Sequence, residues 1–209
     1  MQPFKKVTGV VAPLDRQNVD TDSITPARYL KRIERTGWGE FLFYDWRYNA
    51  DGSPKPDFVL NDEAYRDAAV LVAGRNFGSG SSREHAVWSI YQYGIHAVIA
   101  PKFADIFHKN CFENGLVPVI LPEEQVEAIM AKAKASPGYE LTVDLEACEV
   151  SDDEGFRAPF VVHDDPETHA FRREALLNGL DEIAMTLSLD GEISSFEKER
   201  AAWLTPVGE

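Results

Sequence analysis

A glycine- and serine-rich segment near the middle of the chain carries the residue types best suited to chemistry. Residues 74–85 read GRNFGSGSSREH, between an apolar run and an amphipathic run. They are therefore expected to join a strand to a helix, where free backbone N–H groups and the helix dipole favour an anion. Ser81 and Ser82 add hydroxyls, and Arg83 adds a guanidinium that can bind a carboxylate through two parallel hydrogen bonds. The segment therefore predicts a site for a small anion.

The same segment fails three well-known patterns. No Lys-Ser/Thr pair follows Gly80, which excludes a phosphate-binding loop, and Arg83 stands where a dinucleotide fingerprint needs a third glycine. Ser79 is followed directly by Gly80, which excludes a nucleophile elbow. The amides of Gly78 and Gly80 can instead stabilise an oxyanion or a deprotonated Ser81. A serine becomes a usable base only where cationic and N–H donors favour its alkoxide.

A structural interpretation competes with this functional one. Ser81 and Glu84 have the spacing of a capping box, so Ser81 can serve simply as a helix cap. Arg83 can pair with Glu84 or another carboxylate, and a histidine such as His85 is most often structural. Three glycines, three serines and the guanidinium of Arg83 are more than a cap requires. The residues alone leave both interpretations open.

Two further clusters give weaker indications. Residues 15–26, DRQNVDTDSITP, have the wrong spacing for an EF-hand calcium loop and favour a loop with Asx turns. If the next segment is helical, four basic side chains share one face that meets either solvent or an anionic substrate; they are Arg28, Lys31, Arg32 and Arg35. His108 and Cys111 form an H-x-x-C pair without a second pair, so no metal site is predicted.

Alternating apolar and amphipathic runs predict the elements that position these residues. Strands are expected over 68–73, 95–100 and 116–121, and helices over 84–93, 103–114 and 122–135. This order is typical of parallel strands joined by helical crossovers. The alternation over 139–150 predicts one strand with an antiparallel neighbour over 156–162. Helices are expected over 167–188, with a possible break at Asn178 and Gly179, and over 192–204. The fold class is α/β with a mostly parallel central sheet.

Composition limits the classes of function. The chain has 209 residues, 44% of them hydrophobic, and a net charge of −14, which is typical of a folded, soluble protein. Residues 1–122 hold 14 basic and 14 acidic residues, whereas residues 123–209 hold 7 and 21. Such an acidic chain is a poor ligand for nucleic acid or an anionic membrane. Two cysteines and the lack of a membrane-spanning or secretory segment predict a cytoplasmic protein. One domain is expected over 1–209, with a core of about 1–165 and a helical extension of about 166–209.

Residues 74–86 resemble the signature of the swivelling domain of aconitase-type hydro-lyases. The front half of the chain strengthens the likeness and narrows it to the family of small subunits of bacterial 3-isopropylmalate dehydratases. The matching segments are residues 20–26 (DTDSITP), 30–32 (LKR), 43–47 (FYDWR), 56–61 (PDFVLN) and 100–107 (APKFADIF). The resemblance covers most of residues 1–122 and is looser in the acidic C-terminal part.

The resemblance implies a swivel-domain-like β/β/α fold and a shared active site. A large subunit would carry a [4Fe–4S] cluster, and this chain, its heterodimer partner, would bind none. Ser81 would be the base, and Ser82, Arg83, Asp22 and Arg32 would bind a small dicarboxylate. The implied reaction converts 2-isopropylmalate to 3-isopropylmalate through 2-isopropylmaleate, in leucine biosynthesis. The alternatives are citramalate/citraconate or homoaconitate as substrate, a non-catalytic scaffold subunit, and a stand-alone anion-binding module.

Overall fold

The computed structural model describes residues 1–200 and places one mixed sheet at the centre of the chain. Seven strands within that range pair in the order β4-β3-β2-β1-β5-β6-β7. The strands are β1 Lys6–Leu14, β2 Val70–Ala73, β3 Ala97–Ala100, β4 Val117–Ile120, β5 Glu140–Asp144, β6 Glu149–Ser151 and β7 Arg157–Pro159. The helices are α1 Thr21–Ile24, α2 Tyr44–Arg47, α3 Glu84–Tyr93, α4 Asp105–Asn114, α5 Glu123–Ala135, α6 Pro166–Asn178, α7 Glu182–Ser188 and α8 Asp190–Glu199. The α/β class with a mostly parallel core is confirmed.

Strand β1 joins the two halves of the sheet. Its first half pairs antiparallel with β5, with Lys6 opposite Asp144. Its second half pairs parallel with β2, with Val11 opposite Val70. On one side β2, β3 and β4 continue in parallel, and on the other β5, β6 and β7 continue antiparallel. The carboxyl ends of β1 and β2 therefore lie side by side, where ligands bind in open α/β sheets.

Both faces of the parallel strands are buried, which explains why these strands appear as continuous apolar runs. Leu71 and Val98 face the core formed with α3 and α4. Val70 and Ile99 face the other core, formed with α5. Gly94, with φ +117°, ends α3. The predicted helices over 84–93, 103–114 and 122–135 are confirmed, with the second and third beginning slightly later.

Three expectations about the flanking elements need revision. The single strand predicted over 139–150 is wrong, because a turn separates β5 from β6. Cys148 takes a left-handed φ of +52°, and the Ala147 N–H donates to Asp144 Oδ1 over 2.8 Å. Strand β1 lies outside the predicted strands. The break at Gly179 is confirmed, but the last helix begins at Asp190, and residues 201–204 of its predicted range lie outside the described residues.

The α-helix that would have placed four basic side chains on one face after residue 27 does not form. A short 3₁₀ turn, Ala27–Tyr29, is followed by turn and loop instead of an α-helix. The Arg28 guanidinium pairs with Asp45 and stacks over the Tyr29 ring. Arg32 pairs with Glu40 over 3.0 Å. These individual partners disperse the side chains, so no shared cationic stripe forms.

Helix α6 packs onto the sheet domain. Leu176 is fully buried, and its carbonyl accepts a hydrogen bond from the Phe4 N–H over 2.9 Å. The division into a core and an extension near residue 166 stays a prediction. Among residues 1–200, no helix has the length and apolar character needed to cross a membrane.

Candidate active site

The loop between β2 and α3 is fixed against the segment that follows β1. The Gly74 N–H donates to the Arg16 carbonyl over 3.0 Å. Further along, the Thr21 N–H donates to the Ser79 carbonyl over 2.8 Å. These bonds tie the two segments together at the carboxyl ends of adjacent strands. The sequence segments 15–26 and 74–85, singled out separately, therefore form one site.

Gly78 allows this loop to pass directly over α4. A Cβ at this position would lie 2.1 Å from Cγ of Phe107, which is fully buried, and φ is +79°. The Gly78 N–H donates to the Val19 carbonyl over 2.7 Å. The expectation that this amide faces an anion needs correction, because the amide is already used within the fold. Gly78 serves close packing instead.

The next residues present unused donors to solvent. Gly80, Ser81 and Ser82 are exposed, and Gly80 has a φ of +89°. Within the part of the chain that the structure describes, no backbone N–H from Gly80 to Glu84 donates to another residue. Because these amides precede the positive end of the α3 dipole, the arrangement suits an anionic oxygen.

The capping-box interpretation of Ser81 is wrong. Helix α3 begins at Glu84, so its N-cap is Arg83, and no side chain caps it. The side chain of Glu84 turns away to accept hydrogen bonds from Asn114 Nδ2 over 3.0 Å and Trp88 Nε1 over 3.3 Å. The Ser81 hydroxyl is therefore free of the structural task that competed with a chemical one.

Arg83 is held in place by Asp22. The guanidinium donates from Nη1 to Asp22 Oδ1; the Arg83 side chain is 15% exposed and that of Asp22 is 53% exposed. Asp22 lies on α1, whose first turn is capped by Asp20 Oδ1 at 2.6 Å from the Ser23 nitrogen. The ion pair leaves Nε and Nη2 of the guanidinium without a described acceptor, so Arg83 is both oriented and able to bind a further anion.

Thr21 is a site residue to which the sequence reasoning assigned no role. It is buried, and its Oγ1 donates to the Ser81 carbonyl over 2.9 Å. This bond fixes the backbone on which the Ser81 hydroxyl is carried. The sequence feature that could have pointed to Thr21 is its position between Asp20 and Asp22.

His85 has a packing role. Its ring lies 4.6 Å from the rings of both Trp38 and Trp88. Burial lowers the pKa of His85, which keeps the imidazole neutral at physiological pH. The structural interpretation of this histidine is therefore the better one.

Arg32 lies apart from the loop in every contact described for it. Its Nη1 donates to Glu40 Oε1 over 3.0 Å, its Nη2 donates to the Thr36 carbonyl over 3.2 Å, and its Nε lies 3.4 Å from Glu34 Oε2. With these acceptors its guanidinium is largely occupied. A role in substrate choice stays a prediction.

The described residues do not fit an iron–sulfur cluster of their own. Within residues 1–200, no three His, Cys, Asp or Glu side chains converge as a metal site would require. Cys111 is fully buried, and burial raises the pKa of its thiol far above the usual range. His108, its predicted neighbour, uses Nε2 in a 2.7 Å hydrogen bond with the Val162 carbonyl.

Known proteins resemble the chain along almost its whole length. Residues 1–124 match the family model of the aconitase C-terminal domain, and residues 127–164 match the family model LeuD_N. The 3-isopropylmalate dehydratase small subunit of Brevibacillus brevis is 52% identical over 200 residues, which cover 96% of this chain and 100% of that protein. The small subunit of Bacillus subtilis is 49% identical over 204 residues, 98% of this chain and 99% of that protein.

A solved structure shares the fold. The crystal structure of 3-isopropylmalate dehydratase (leuD) from Methanocaldococcus jannaschii superposes with a TM-score of 0.62 at 26% identity, covering 92% of this chain and 99% of that one. The sequence relatives and the structural neighbour thus carry the same name, 3-isopropylmalate dehydratase. The chain belongs to the family of 3-isopropylmalate dehydratase small subunits, which carry the aconitase C-terminal domain.

Proposed function

We propose that this chain is the small subunit of a heteromeric hydro-lyase that converts 2-isopropylmalate to 3-isopropylmalate, through 2-isopropylmaleate, in leucine biosynthesis. Family membership at about 50% identity supports the activity class. One observation carries the assignment of the site: an exposed Ser81 caps nothing, and it lies between unused backbone amides and an arginine oriented by Asp22.

In this proposal Ser81 is the base that takes a proton from the carbon next to a substrate carboxylate. The free N–H groups that begin at Gly80 stabilise the serine alkoxide, because the helix dipole adds to their attraction. Arg83 and Ser82 bind a substrate carboxylate, and the ion pair with Asp22 holds the guanidinium in place before substrate arrives. A [4Fe–4S] cluster bound in the large subunit would supply Lewis acidity for the departure of the substrate hydroxyl.

The large subunit completes the site in this proposal. Ser81 and Ser82 are exposed on this chain alone, so a partner surface is needed to exclude water. The described side chains do not provide cluster ligands, which supports placing the cluster on the partner. The isolated chain is accordingly expected to be inactive. A cytoplasmic location stays a prediction.

The test is a comparison of Ser81→Ala with a matched control, Ser79→Ala, in the complex. The two serines lie in the same loop, but the Ser79 hydroxyl donates to the Asn18 carbonyl over 3.4 Å and has no assigned chemistry. Each variant is co-purified anaerobically with its large subunit and assayed with 2-isopropylmaleate, citraconate and homoaconitate.

We expect Ser81→Ala to retain the partner and lose about 10²-fold or more in kcat, as loss of a general base does. Ser79→Ala should remain within a few-fold of wild type. Full activity of Ser81→Ala would make the chain a scaffold, whereas preference for another substrate would correct the reaction and keep the site.

A further inference from the structure

Thr21 contacts the loop that carries Ser81 through two separate groups, its backbone N–H and its side-chain hydroxyl. The N–H donates to the Ser79 carbonyl over 2.8 Å, and Oγ1 donates to the Ser81 carbonyl over 2.9 Å. Thr21 is buried, whereas Gly80, Ser81 and Ser82 are exposed. One buried residue thus binds two alternate carbonyls of a loop whose other side faces solvent.

The planarity of the peptide bond transmits these two contacts to the opposite side of the loop. In a trans peptide the carbonyl and the N–H point in opposite directions, and none of the peptides described over residues 1–200 is cis. The Ser79 carbonyl points at Thr21, so the Gly80 N–H of the same peptide points away from it. The Ser81 carbonyl also points at Thr21, so the Ser82 N–H points away as well. Two N–H groups that flank Ser81 therefore face away from α1.

The middle of this loop depends on the Thr21 hydroxyl for its position. The two ends are held elsewhere: the Ser79 N–H donates to the Val19 carbonyl over 3.0 Å, and Arg83 pairs with Asp22. Over residues 80–82, the bond from Thr21 Oγ1 is the one hydrogen bond to another residue within the described part of the chain. A buried hydroxyl is costly unless it is hydrogen-bonded, so this bond also satisfies Thr21 itself.

We propose that Thr21 is a positioning residue that aims the Gly80 and Ser82 N–H groups at the alkoxide of Ser81. This inference rests on the proposed function, in which the amides of this loop stabilise that alkoxide. Donors that are fixed before the reaction stabilise a developing charge without reorganisation, whereas a loosened loop must first be ordered. Because the Thr21 hydroxyl is buried beneath the loop and reaches the Ser81 carbonyl, its loss should lower kcat and leave KM nearly unchanged.

Thr25, at the C-terminal end of α1, supplies a matched control. It is fully buried, and its Oγ1 lies 2.6 Å from Ser89 Oγ on α3. Ser89 Oγ also donates to the Ala86 carbonyl over 3.0 Å, so this hydroxyl stays hydrogen-bonded when Thr25 loses its own. Thr25 therefore resembles Thr21 in burial and bonding, but its described contacts do not include residues 79–82.

The test compares Thr21→Val, Thr21→Ser and Thr25→Val in the anaerobically purified complex with the large subunit, assayed with 2-isopropylmaleate. Valine has the shape of threonine without its hydroxyl, so each valine variant removes one buried hydroxyl and keeps the packing. We expect Thr21→Val to lose about 10- to 100-fold in kcat, with KM within about twofold of wild type. Thr21→Ser, which keeps the hydroxyl, should recover most of that loss. Thr25→Val should stay close to the wild-type kcat.

A double-mutant cycle with Ser81→Ala tests whether Thr21 acts through Ser81. In the Ser81→Ala complex, Thr21→Val should lower the residual kcat by less than about twofold, because the base that the amides serve is already absent. Melting temperatures and retention of the large subunit check that each variant folds and assembles. If Thr21→Val does not assemble, Thr21→Ala removes the same hydroxyl with a smaller side chain and should show the same loss of kcat.

Several results would overturn the proposal. A wild-type kcat of Thr21→Val would remove the positioning role, and equal losses for Thr21→Val and Thr25→Val would assign the effect to the packing of α1. A raised KM with an unchanged kcat would make Thr21 a determinant of substrate binding. Losses from Thr21→Val and Ser81→Ala that simply multiply would show that Thr21 does not act through Ser81.

The same measurements separate this inference from the proposed function. If Ser81→Ala loses activity as expected and Thr21→Val does not, only the role of Thr21 fails. If Ser81→Ala keeps full activity, or if the wild-type complex does not isomerise isopropylmalate, the proposed function fails and the role of Thr21 fails with it.

Discussion

Gly78→Ala is expected to destabilise the fold strongly, because it places a methyl group where α4 already packs. The left-handed φ of +79° costs an alanine about 1–2 kcal/mol. The new Cβ would lie 2.1 Å from Phe107 Cγ, and relieving such overpacking in a core costs about 1–3 kcal/mol more. The free energy of unfolding should therefore fall by about 2–5 kcal/mol, which for a chain of this size lowers the melting temperature by about 4–20 °C.

The assay is urea unfolding followed by circular dichroism, with Gly52→Ala as the matched control. Gly52 has nearly the same φ, +82°, but a Cβ there would meet nothing within 4 Å. It should lose only the conformational part, about 1–2 kcal/mol. Phe107→Leu in the Gly78→Ala background should recover part of the difference, since it vacates the contested space. Equal losses for the two glycine variants would refute the argument from the Phe107 contact.

Three further predictions concern titratable groups. Burial lowers the pKa of His108 to about 4, so between about pH 6.5 and 4 this histidine is protonated in the unfolded chain but not in the folded one. The free energy of unfolding should therefore fall by about 1.4 kcal/mol per pH unit from pH 6.5 towards 4. His108→Gln should flatten that slope in urea unfolding. Burial raises the pKa of Asp152, but hydrogen bonds from Lys132 and Tyr139 outweigh it and hold the pKa at about 2. Asp152→Asn should therefore lose on the order of 2 kcal/mol at pH 7, a loss that vanishes as pH falls from about 4 to 2; a loss independent of pH would contradict it. Iodoacetamide should label the half-buried Cys148 in the native chain and spare Cys111 until unfolding, as peptide mass spectrometry would reveal.

The parallel half of the fold was predictable because its strands are buried on both faces. Such strands appear as unbroken apolar runs, and glycines such as Gly94 mark where the helices end. Strand β1 was not predictable on this basis. Its first half faces β5 across an antiparallel ladder and its second half faces β2, so its burial changes along its length and no single periodicity describes it.

The part of the site that could be predicted is the part whose residues are neighbours in the sequence. The glycines, serines and arginine of residues 74–85 are close in sequence, so their joint placement followed from one loop. The pairing of Arg83 with Asp22 spans 61 residues and depends on the strand order, which residue spacing does not reveal; the family resemblance only implied that both side chains belong to the site. The interpretation of Ser81 as a helix cap was wrong because the helix begins at Glu84, which makes Arg83 the N-cap residue.

The double pairing of β1 also fixes the order in which the protein can be completed during synthesis. Val7 pairs with Val143, so the N-terminal strand waits for more than half of the chain to leave the ribosome before its antiparallel partner exists. Its parallel partner, β2, emerges much earlier, as do the loop residues that bind the segment after β1. The part of the molecule that carries the candidate site can thus assemble while the first half of β1, residues 6–10, still lacks its partner strand and presents an edge that chaperones and neighbouring nascent chains can reach.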